Sequence, residues 1–130
     1  MAEWKYDIFL ISPVRKMSKA ECQIIKKYVE KKEKNGLKVY WPLRDNPHQT
    51  TDKIGMEIIL HNLDAMKNSL AIHYWYNKES TGSIADLQCA VLLEKIFVLA
   101  NLKAVQRTSE KSYENILLYL NNQARKKKKI

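Results

Sequence analysis

The sequence predicts a three-layer α/β fold in which a doubly wound parallel sheet of four to five strands has the flavodoxin-like (Rossmann-like) order 2-1-3-4-5. Short apolar runs alternate with amphipathic helical stretches along the body of the chain. The runs are continuously apolar, as parallel strands are when helices cover both faces of their sheet. A chain of 130 residues with three glycines and three prolines leaves little room for a linker. We therefore expect one domain over residues 1–124 and a basic tail over residues 125–130.

Turn and capping residues delimit the elements in the first half of the chain. The apolar run at residues 7–11 is too short for a helix and is followed by Ser-Pro, which is typical of a buried strand. Ser18 and Glu21 form a Ser-x-x-Glu capping box, and the helix that it opens ends at an Asn-Gly pair. Residues 38–41 predict a second short strand, and the polar residues 43–51 predict a loop.

The second half repeats this alternation. Apolar residues recur at helical spacing over residues 52–68, and the run at residues 70–75 predicts the third strand. A turn-forming stretch then leads into a helix at residues 83–93, and residues 96–100 predict the fourth strand. Two further elements complete the prediction: a short fifth strand at residues 104–106 and an amphipathic helix at residues 109–124.

Right-handed crossovers place a ligand crevice beyond the carboxyl ends of strands 1 and 3. Polar residues follow each of the first three strands in the sequence, so we expect them to line this crevice. The candidates are Ser12 and Arg15 after strand 1, Arg44 and Asp45 after strand 2, and Ser80, Gly82 and Ser83 after strand 3.

These residue types predict an anion site. Arg15 and Arg44 supply two guanidinium groups, and the small residues 80–83 precede a helix whose first backbone N–H groups are unpaired. Gly82 allows the backbone to approach a phosphate closely. The alternative is that Arg15 and Arg44 pair with surface carboxylates.

Asp86 is the candidate catalytic residue. With Ser83 as the N-cap, Asp86 falls in the first turn of the third long helix, where the helix field favours an ionised carboxylate. Such a carboxylate can attack the anomeric carbon of a nucleoside and form a covalent glycosyl ester. The alternative is that Asp86 only stabilises the start of its helix.

Other classes of site are disfavoured. There is no Walker A or GxGxxG pattern, so we expect no nucleotide cofactor. Cys22 and Cys89 lie in predicted helices far apart, and Glu57 and His61 share a helix face without a third ligand, so we expect no metal.

The charge and hydropathy of the chain bound its partners and location. The formal net charge is +9, but five of the positive charges lie in Arg125–Lys129. Nucleic-acid binding is therefore expected at most weakly, through this tail. No stretch approaches the ~20 apolar residues of a membrane span, and residues 1–6 lack the apolar region of a signal peptide, so we expect a cytoplasmic protein that does not bind a membrane.

Three segments give the chain a resemblance to a known family. Residues 7–15 (DIFLISPVR), 62–66 (NLDAM) and 80–87 (STGSIADL), the last followed by the strand IFVL, resemble the nucleoside 2-deoxyribosyltransferase family. Its relatives include the 2'-deoxynucleoside 5'-monophosphate N-glycosidases. The resemblance extends over residues 5 to 101, and its most specific part is the small-residue loop followed by an acidic residue.

The resemblance implies a flavodoxin-like fold, a homodimer or larger homo-oligomer, and cleavage or transfer at the N-glycosidic bond of a deoxynucleoside. By position, Asp86 matches the glutamate nucleophile of the family. Ser80 and Gly82 match the loop that binds the 5' end of the sugar or its phosphate, and Arg15 matches an arginine that contacts the same phosphate. Asn62 stands where many members have an aspartate that holds the sugar hydroxyl or the base.

The chain departs from the family pattern at three positions. Asp86 is one methylene shorter than glutamate, and a shift of about 1 Å in a nucleophile can cost on the order of a hundredfold in rate. Phe9 replaces a tyrosine that helps to orient the nucleophile, and Gln88 replaces a glycine. Three functions therefore stay open: a nucleoside or nucleotide glycosyl enzyme, a non-catalytic nucleotide sensor with the same crevice, and a nucleic-acid-associated protein that binds through its tail.

Overall fold

The computed structural model describes residues 4–15, 17–80 and 82–126. Within these ranges, strands and helices alternate along the chain. The elements in order are β1 (Tyr6–Ile11), α1 (Lys19–Lys34), β2 (Val39–Tyr40), α2 (Pro42–Asp45), α3 (Met56–Lys67), β3 (Ser69–Tyr74), α4 (Gly82–Leu92), β4 (Ile96–Leu99) and α5 (Tyr113–Lys126).

The four described strands form one parallel sheet in the order β2-β1-β3-β4. The strand β1 is central, with Ile8 opposite Val39 of β2 and opposite Ala71 of β3. This order and the helical crossovers confirm the predicted three-layer α/β, flavodoxin-like fold class.

Successive strand residues point to opposite faces of the sheet, and each face has its own core. Ile8 and Leu10 pack with Ile25 and Val29 of α1 on one face. The opposite face packs against α3, α4 and α5, and its core residues include Phe9, Ile72, Met66, Leu87 and Leu117. Because both faces are covered, most residues of the strands are apolar on both faces, which is the pattern that predicted them.

The helix α5 takes the place of the predicted fifth strand. Residues 102–104 form a 3-10 turn, so the prediction of a strand at 104–106 is wrong. The helix α5 instead lies beside β4, where the Asn121 Oδ1 accepts a hydrogen bond from the Leu99 N–H at 2.9 Å. An edge strand exposes unpaired backbone groups, and a side chain from a covering helix can satisfy them.

Two helices begin later than the sequence predicts. The helix α3 begins at Met56 rather than at residue 52, because the Asp52 carboxylate accepts the backbone N–H groups of Ile54, Gly55 and Ile58. Gly55 has a φ of 96°, a left-handed conformation that separates this turn from the helix. The helix α5 begins at Tyr113 rather than at residue 109.

The predicted basic tail lies mostly outside the described residues. The backbone of α5 continues to Lys126, two residues into the predicted tail, and residues 127–130 are not described. The domain boundary at residue 124 therefore stays a prediction. Among the described residues, no helix combines the length and the apolar composition needed to cross a bilayer.

Candidate functional site

The candidate site lies where β1 and β3 end side by side. The Trp75 N–H donates to the carbonyl oxygen of Ile11 at 2.7 Å, so the segments that leave these two strands start next to each other. The first carries Ser12 and Arg15, and the second leads through residues 75–80 to α4. Predicted site residues from two separate parts of the sequence thus meet at the carboxyl edge of the sheet.

Ser12 is buried at this edge and contacts Trp41. It is only 8% exposed, and its Oγ accepts a hydrogen bond from the Trp41 Nε1–H at 3.1 Å. This bond joins the carboxyl ends of β1 and β2. Ser12 therefore orients the Trp41 ring, and its predicted contact with a ligand stays a prediction.

Arg15 and Arg44 have different surroundings. Arg15 is exposed beyond β1, and none of the ion pairs found among the described residues involves it. Arg44 extends back along β2 instead, donating to the Val39 carbonyl oxygen and to both carboxylate oxygens of Glu33 at 3.0 and 3.1 Å. Its Nε also donates to Asp45 at 2.7 Å.

Arg44 and Asp45 thus form a structural pair. The second oxygen of Asp45 accepts the Trp41 N–H at 2.8 Å, which closes the single turn of α2. With two carboxylates on its guanidinium, Arg44 is not directed toward the crevice, and this is the alternative arrangement that the sequence left open. The difference arises because Glu33 lies in the last turn of α1, beside β2, where a bidentate ion pair can form.

Asn62 lies inside the protein, at 7% exposure, on the side of α3 that faces the loop after α2. Its Oδ1 accepts a hydrogen bond from the Asn46 Nδ2 at 2.8 Å, and the same amide group of Asn46 donates to the Ile58 carbonyl oxygen. This pair of asparagines fastens the loop to α3. The described contacts do not bring Asn62 to Asp86, so its contact with a sugar or base stays a prediction.

The segment that follows β3 is held from two sides. Asn101 brackets Tyr76, accepting its N–H at 2.7 Å and donating to its carbonyl oxygen at 2.9 Å, and the Tyr76 hydroxyl donates to Glu114 of α5 at 2.5 Å. On the other side, Glu21 of α1 accepts hydrogen bonds from the side chains of Trp75 and Asn77. These anchoring residues were missed by the sequence analysis, which identified only a turn here.

Ser80 and Ser83 join this segment to α4. Their hydroxyl oxygens lie 2.7 Å apart in a shared hydrogen bond, and Ser83 is buried. The helix begins at Gly82, one residue earlier than predicted, and Thr81 lies outside the described residues. The segment therefore delivers the start of α4 to the crevice, as the sequence predicts, with Ser83 inside the helix rather than at its cap.

Asp86 is in the second turn of α4, not in the first. It is the fifth residue of the helix, and it is partly exposed. The field of a helix terminus falls off within one turn, so it does not dominate here. Burial raises the pKa of Asp86 from 3.8 to about 7. The expectation that the helix field keeps this group fully ionised is therefore wrong, and the carboxyl titrates near neutral pH.

Tyr74 faces the same side of the sheet as Asp86. Burial, and after it the charge of Asp86, raise the pKa of the Tyr74 hydroxyl to about 12, so this group keeps its proton at neutral pH. Phe9 of β1 stacks on Tyr40 with ring centroids 5.3 Å apart. Tyr74 thus supplies a phenol near Asp86 from the end of β3, on a face whose core is also contacted by Tyr6 of β1 and includes Tyr40 of β2.

Other potential sites lie away from this edge. Within the described ranges, no group of three or more His, Cys, Asp or Glu side chains is arranged to hold a metal ion. A cavity of about 210 Å³ is lined by Glu94, Lys95 and Gln123, near the ends of α4 and α5, at the amino edge of the sheet. The carboxyl edge is where the segments that carry Ser12, Arg15 and Ser80 leave β1 and β3.

These features define a parallel α/β protein with a carboxyl group, that of Asp86, near Tyr74 at the carboxyl end of β3. No protein-family model and no curated protein matches the sequence. Among solved structures, the chain is similar to a 2-deoxyribosyltransferase from the psychrotolerant bacterium Bacillus psychrosaccharolyticus. The TM-score is 0.60 with 18% sequence identity, over 85% of this chain and 89% of that chain. The similarity shows a shared fold.

Proposed function

We propose that the protein cleaves or transfers the N-glycosidic bond of a deoxynucleoside or its 5'-monophosphate, with Asp86 as the nucleophile. The single observation that carries this proposal is the position of Asp86, in the second turn of α4 and near Tyr74 at the end of β3, in a chain with a deoxyribosyltransferase-like fold. We also propose that the chain is a member of the nucleoside 2-deoxyribosyltransferase family.

The chemistry needs the ionised form of Asp86. A carboxylate oxygen attacks C1' of the sugar while the bond from C1' to the base nitrogen breaks, and the leaving base takes a proton from water in the open crevice. Water then hydrolyses the ester, or a second base attacks C1' and the sugar is transferred. Because only the carboxylate attacks, kcat/KM falls as the pH drops below about 7.

The monophosphate is favoured by the groups around the crevice. Arg15 is exposed beyond β1, and the start of α4 at Gly82 offers backbone N–H groups next to the hydroxyls of Ser80 and Ser83. In this proposal these groups bind the 5'-phosphate. Arg44 and Asp45 hold each other and take no part.

The test measures base release by chromatography from a panel of deoxynucleosides and their 5'-monophosphates. We expect release by the native protein and a loss of at least about a thousandfold in Asp86→Asn, which keeps the size of the side chain but cannot form the ester. Asp64→Asn, which changes an exposed aspartate on α3, is the matched control and should retain full activity.

A second outcome identifies the sensor function. The raised pKa of Asp86 leaves part of its carboxyl protonated at neutral pH, which weakens it as a nucleophile and favours binding without cleavage. In that case a nucleotide raises the melting temperature of the protein and is recovered intact. Equal base release by the native protein and Asp86→Asn would exclude the nucleophilic mechanism.

We further propose a homo-oligomer that associates through α3 and α4. Large apolar side chains face solvent there, with Ile59 at 54% and Leu92 at 83% exposure. Residues 54–66 and 79–94 contain no Lys or Arg, so two chains of net charge +9 can meet on this surface with little repulsion. Light scattering should show an oligomer in the native protein and a monomer in Ile59→Glu. Ile24→Glu, at an equally exposed position on α1, is the control and should remain an oligomer. A native monomer would contradict this proposal.

The absence of a cofactor, the cytoplasmic location and the weak nucleic-acid contact of the tail stay predictions. Deletion of residues 127–130 followed by a salt titration of DNA or RNA binding tests the last of these.

A further inference from the structure

The side chain of Glu21 binds residues after β3 and not the start of its own helix, where the predicted capping box would place it. The Ser18 half of the box is formed, since its Oγ accepts the Glu21 N–H at 3.0 Å. The Glu21 side chain instead crosses to the end of β3. Its Oε2 accepts the Trp75 Nε1–H at 2.9 Å, and its Oε1 accepts a hydrogen bond from the Asn77 Nδ2 at 2.9 Å.

Asn77 extends this contact toward α4. Its Oδ1 accepts the Glu79 N–H at 2.9 Å, and its backbone carbonyl accepts the Ser80 N–H at 3.1 Å. Ser80 in turn shares a hydrogen bond with Ser83 in the first turn of α4. An unbroken series of hydrogen bonds therefore joins α1 to the start of the helix that carries Asp86.

A carboxylate suits this position because it only accepts hydrogen bonds, and both groups that face it are donors. Hydrogen bonds to a charged acceptor are also stronger than those between neutral groups. Glutamine at position 21 has one acceptor oxygen and one NH₂ group. It could accept a hydrogen bond from either Trp75 or Asn77, but its NH₂ group would then face the N–H donor of the other residue. The arrangement thus requires an acid at this position, and helix capping does not explain that requirement.

We propose that Glu21 is a positioning residue, which sets the place of the segment at residues 77–80 and, through the hydrogen bond between Ser80 and Ser83, the start of α4 at the carboxyl edge of the sheet. These hydrogen bonds alone support the role of Glu21 in holding the segment. Its consequence for ligand binding rests on the proposed function, in which this segment contacts the sugar 5' end or its phosphate.

The first arm of the test uses hydrogen exchange and a paired substitution. Glu21→Gln sets two donors against each other, and Asn77→Asp sets two carboxylates against each other, so each alone should speed amide exchange across residues 77–83. In the double variant the new amide at position 21 can donate to the new carboxylate at position 77 and still accept from Trp75. We expect the double variant to exchange within about twofold of the native rate, a coupling that independent damage to stability does not produce.

Glu30→Gln, at an exposed position of the same helix, is the charge-matched control and should leave exchange unchanged. Native exchange rates in Glu21→Gln, or a double variant as fast as the single ones, would overturn the proposal. These outcomes do not depend on the protein having any ligand.

The second arm measures the dissociation constants of deoxynucleoside 5'-monophosphates by calorimetry. We expect binding about tenfold weaker in each single variant and native affinity in the double variant. Unchanged affinity in a single variant whose segment exchanges faster would overturn the link to the ligand. A native protein that binds none of these compounds would instead overturn the proposed function, while the exchange data still decide the role of Glu21.

Discussion

At the scale of single residues, the ionised form of Asp86 lowers the stability of the fold, and its proposed role as a nucleophile explains why such a group is present. Its pKa rises from 3.8 in the unfolded chain to about 7 in the fold. The stability that this group contributes is therefore complete below pH 3.8 and is lost as the pH rises through 7. At pH 8 the folded protein holds a partly buried charge, at a cost of at most about 4 kcal/mol.

We therefore expect Asp86→Asn to be inactive but more stable than the native protein at pH 8. The gain in the free energy of unfolding should be smaller at pH 5, where the native carboxyl is mostly protonated. Urea unfolding at both pH values measures this difference, and Asp64→Asn supplies the control for loss of one negative charge. Equal stability of Asp86→Asn and the native protein at pH 8 would show that burial of the ionised Asp86 carboxylate does not lower the free energy of unfolding.

The sequence could predict which strands end side by side but not what the residues after them touch. Ser12 and Arg15 follow β1 and Ser80 follows β3, and the parallel pairing of those strands places the starts of both segments at one edge. The partners of Arg44 could not be predicted, because Glu33 comes from another element and approaches only when α1 packs beside β2. The raised pKa of Asp86 likewise depends on tertiary burial.

At the scale of elements, α5 protects the open edge of the sheet. The Leu99 N–H at this edge has the Asn121 side chain as its acceptor. Loss of an acceptor leaves a backbone donor unpaired, which costs on the order of 1 kcal/mol or more. Asn121→Leu should therefore lower the free energy of unfolding by about 1–2 kcal/mol relative to Asn121→Asp, which keeps an acceptor oxygen. Urea unfolding of the two variants at pH 7 compares them, and equal midpoints would mean that this bond contributes little.

Element boundaries could be predicted wherever a local signal decides them. The capping residue Ser18 and the Asn-Gly pair set the two ends of α1 as predicted. Local signals misled where a side chain serves a distant partner, as Glu21 does, or where a turn delays a helix, as Asp52 does before α3. Residues 104–106 (Ala-Val-Gln) suggested a strand, but α5 already occupies the edge at which that strand would pair.

At the scale of the whole molecule, the two faces of the sheet contain ionisable groups with opposite effects. On the α1 face, His73 is 1% exposed and its Nδ1 contacts the Tyr28 hydroxyl at 2.5 Å, whereas its Nε2 has no hydrogen-bond partner among the residues that the structure describes. Burial, and after it the charge of Lys32, lower its pKa from 6.5 to about 4. Asp86 lies on the opposite face with a raised pKa.

These two shifts predict opposing slopes of stability against pH. His73 contributes stability that is complete above pH 6.5 and is lost as the pH falls toward 4, whereas the stability that Asp86 contributes grows over the same fall. Each slope is at most about 1.4 kcal/mol per pH unit. The carboxylates of Glu114 and Asp52, whose pKa values are lowered from 4.5 and 3.8, act mainly below pH 4.5, so the window from about pH 5 to 6.5 isolates the pair.

We expect the free energy of unfolding of the native protein to be nearly constant across this window, because the two slopes cancel. In Asp86→Asn only the His73 slope remains, so stability should rise with pH by at most about 2 kcal/mol. In His73→Gln, which keeps an acceptor for Tyr28 but does not titrate, stability should fall with pH by a similar amount. The double variant should again be flat. Urea titrations of the four proteins at pH 5, 5.75 and 6.5 test this, and parallel curves for all four would show that neither group titrates differently in the folded and unfolded states.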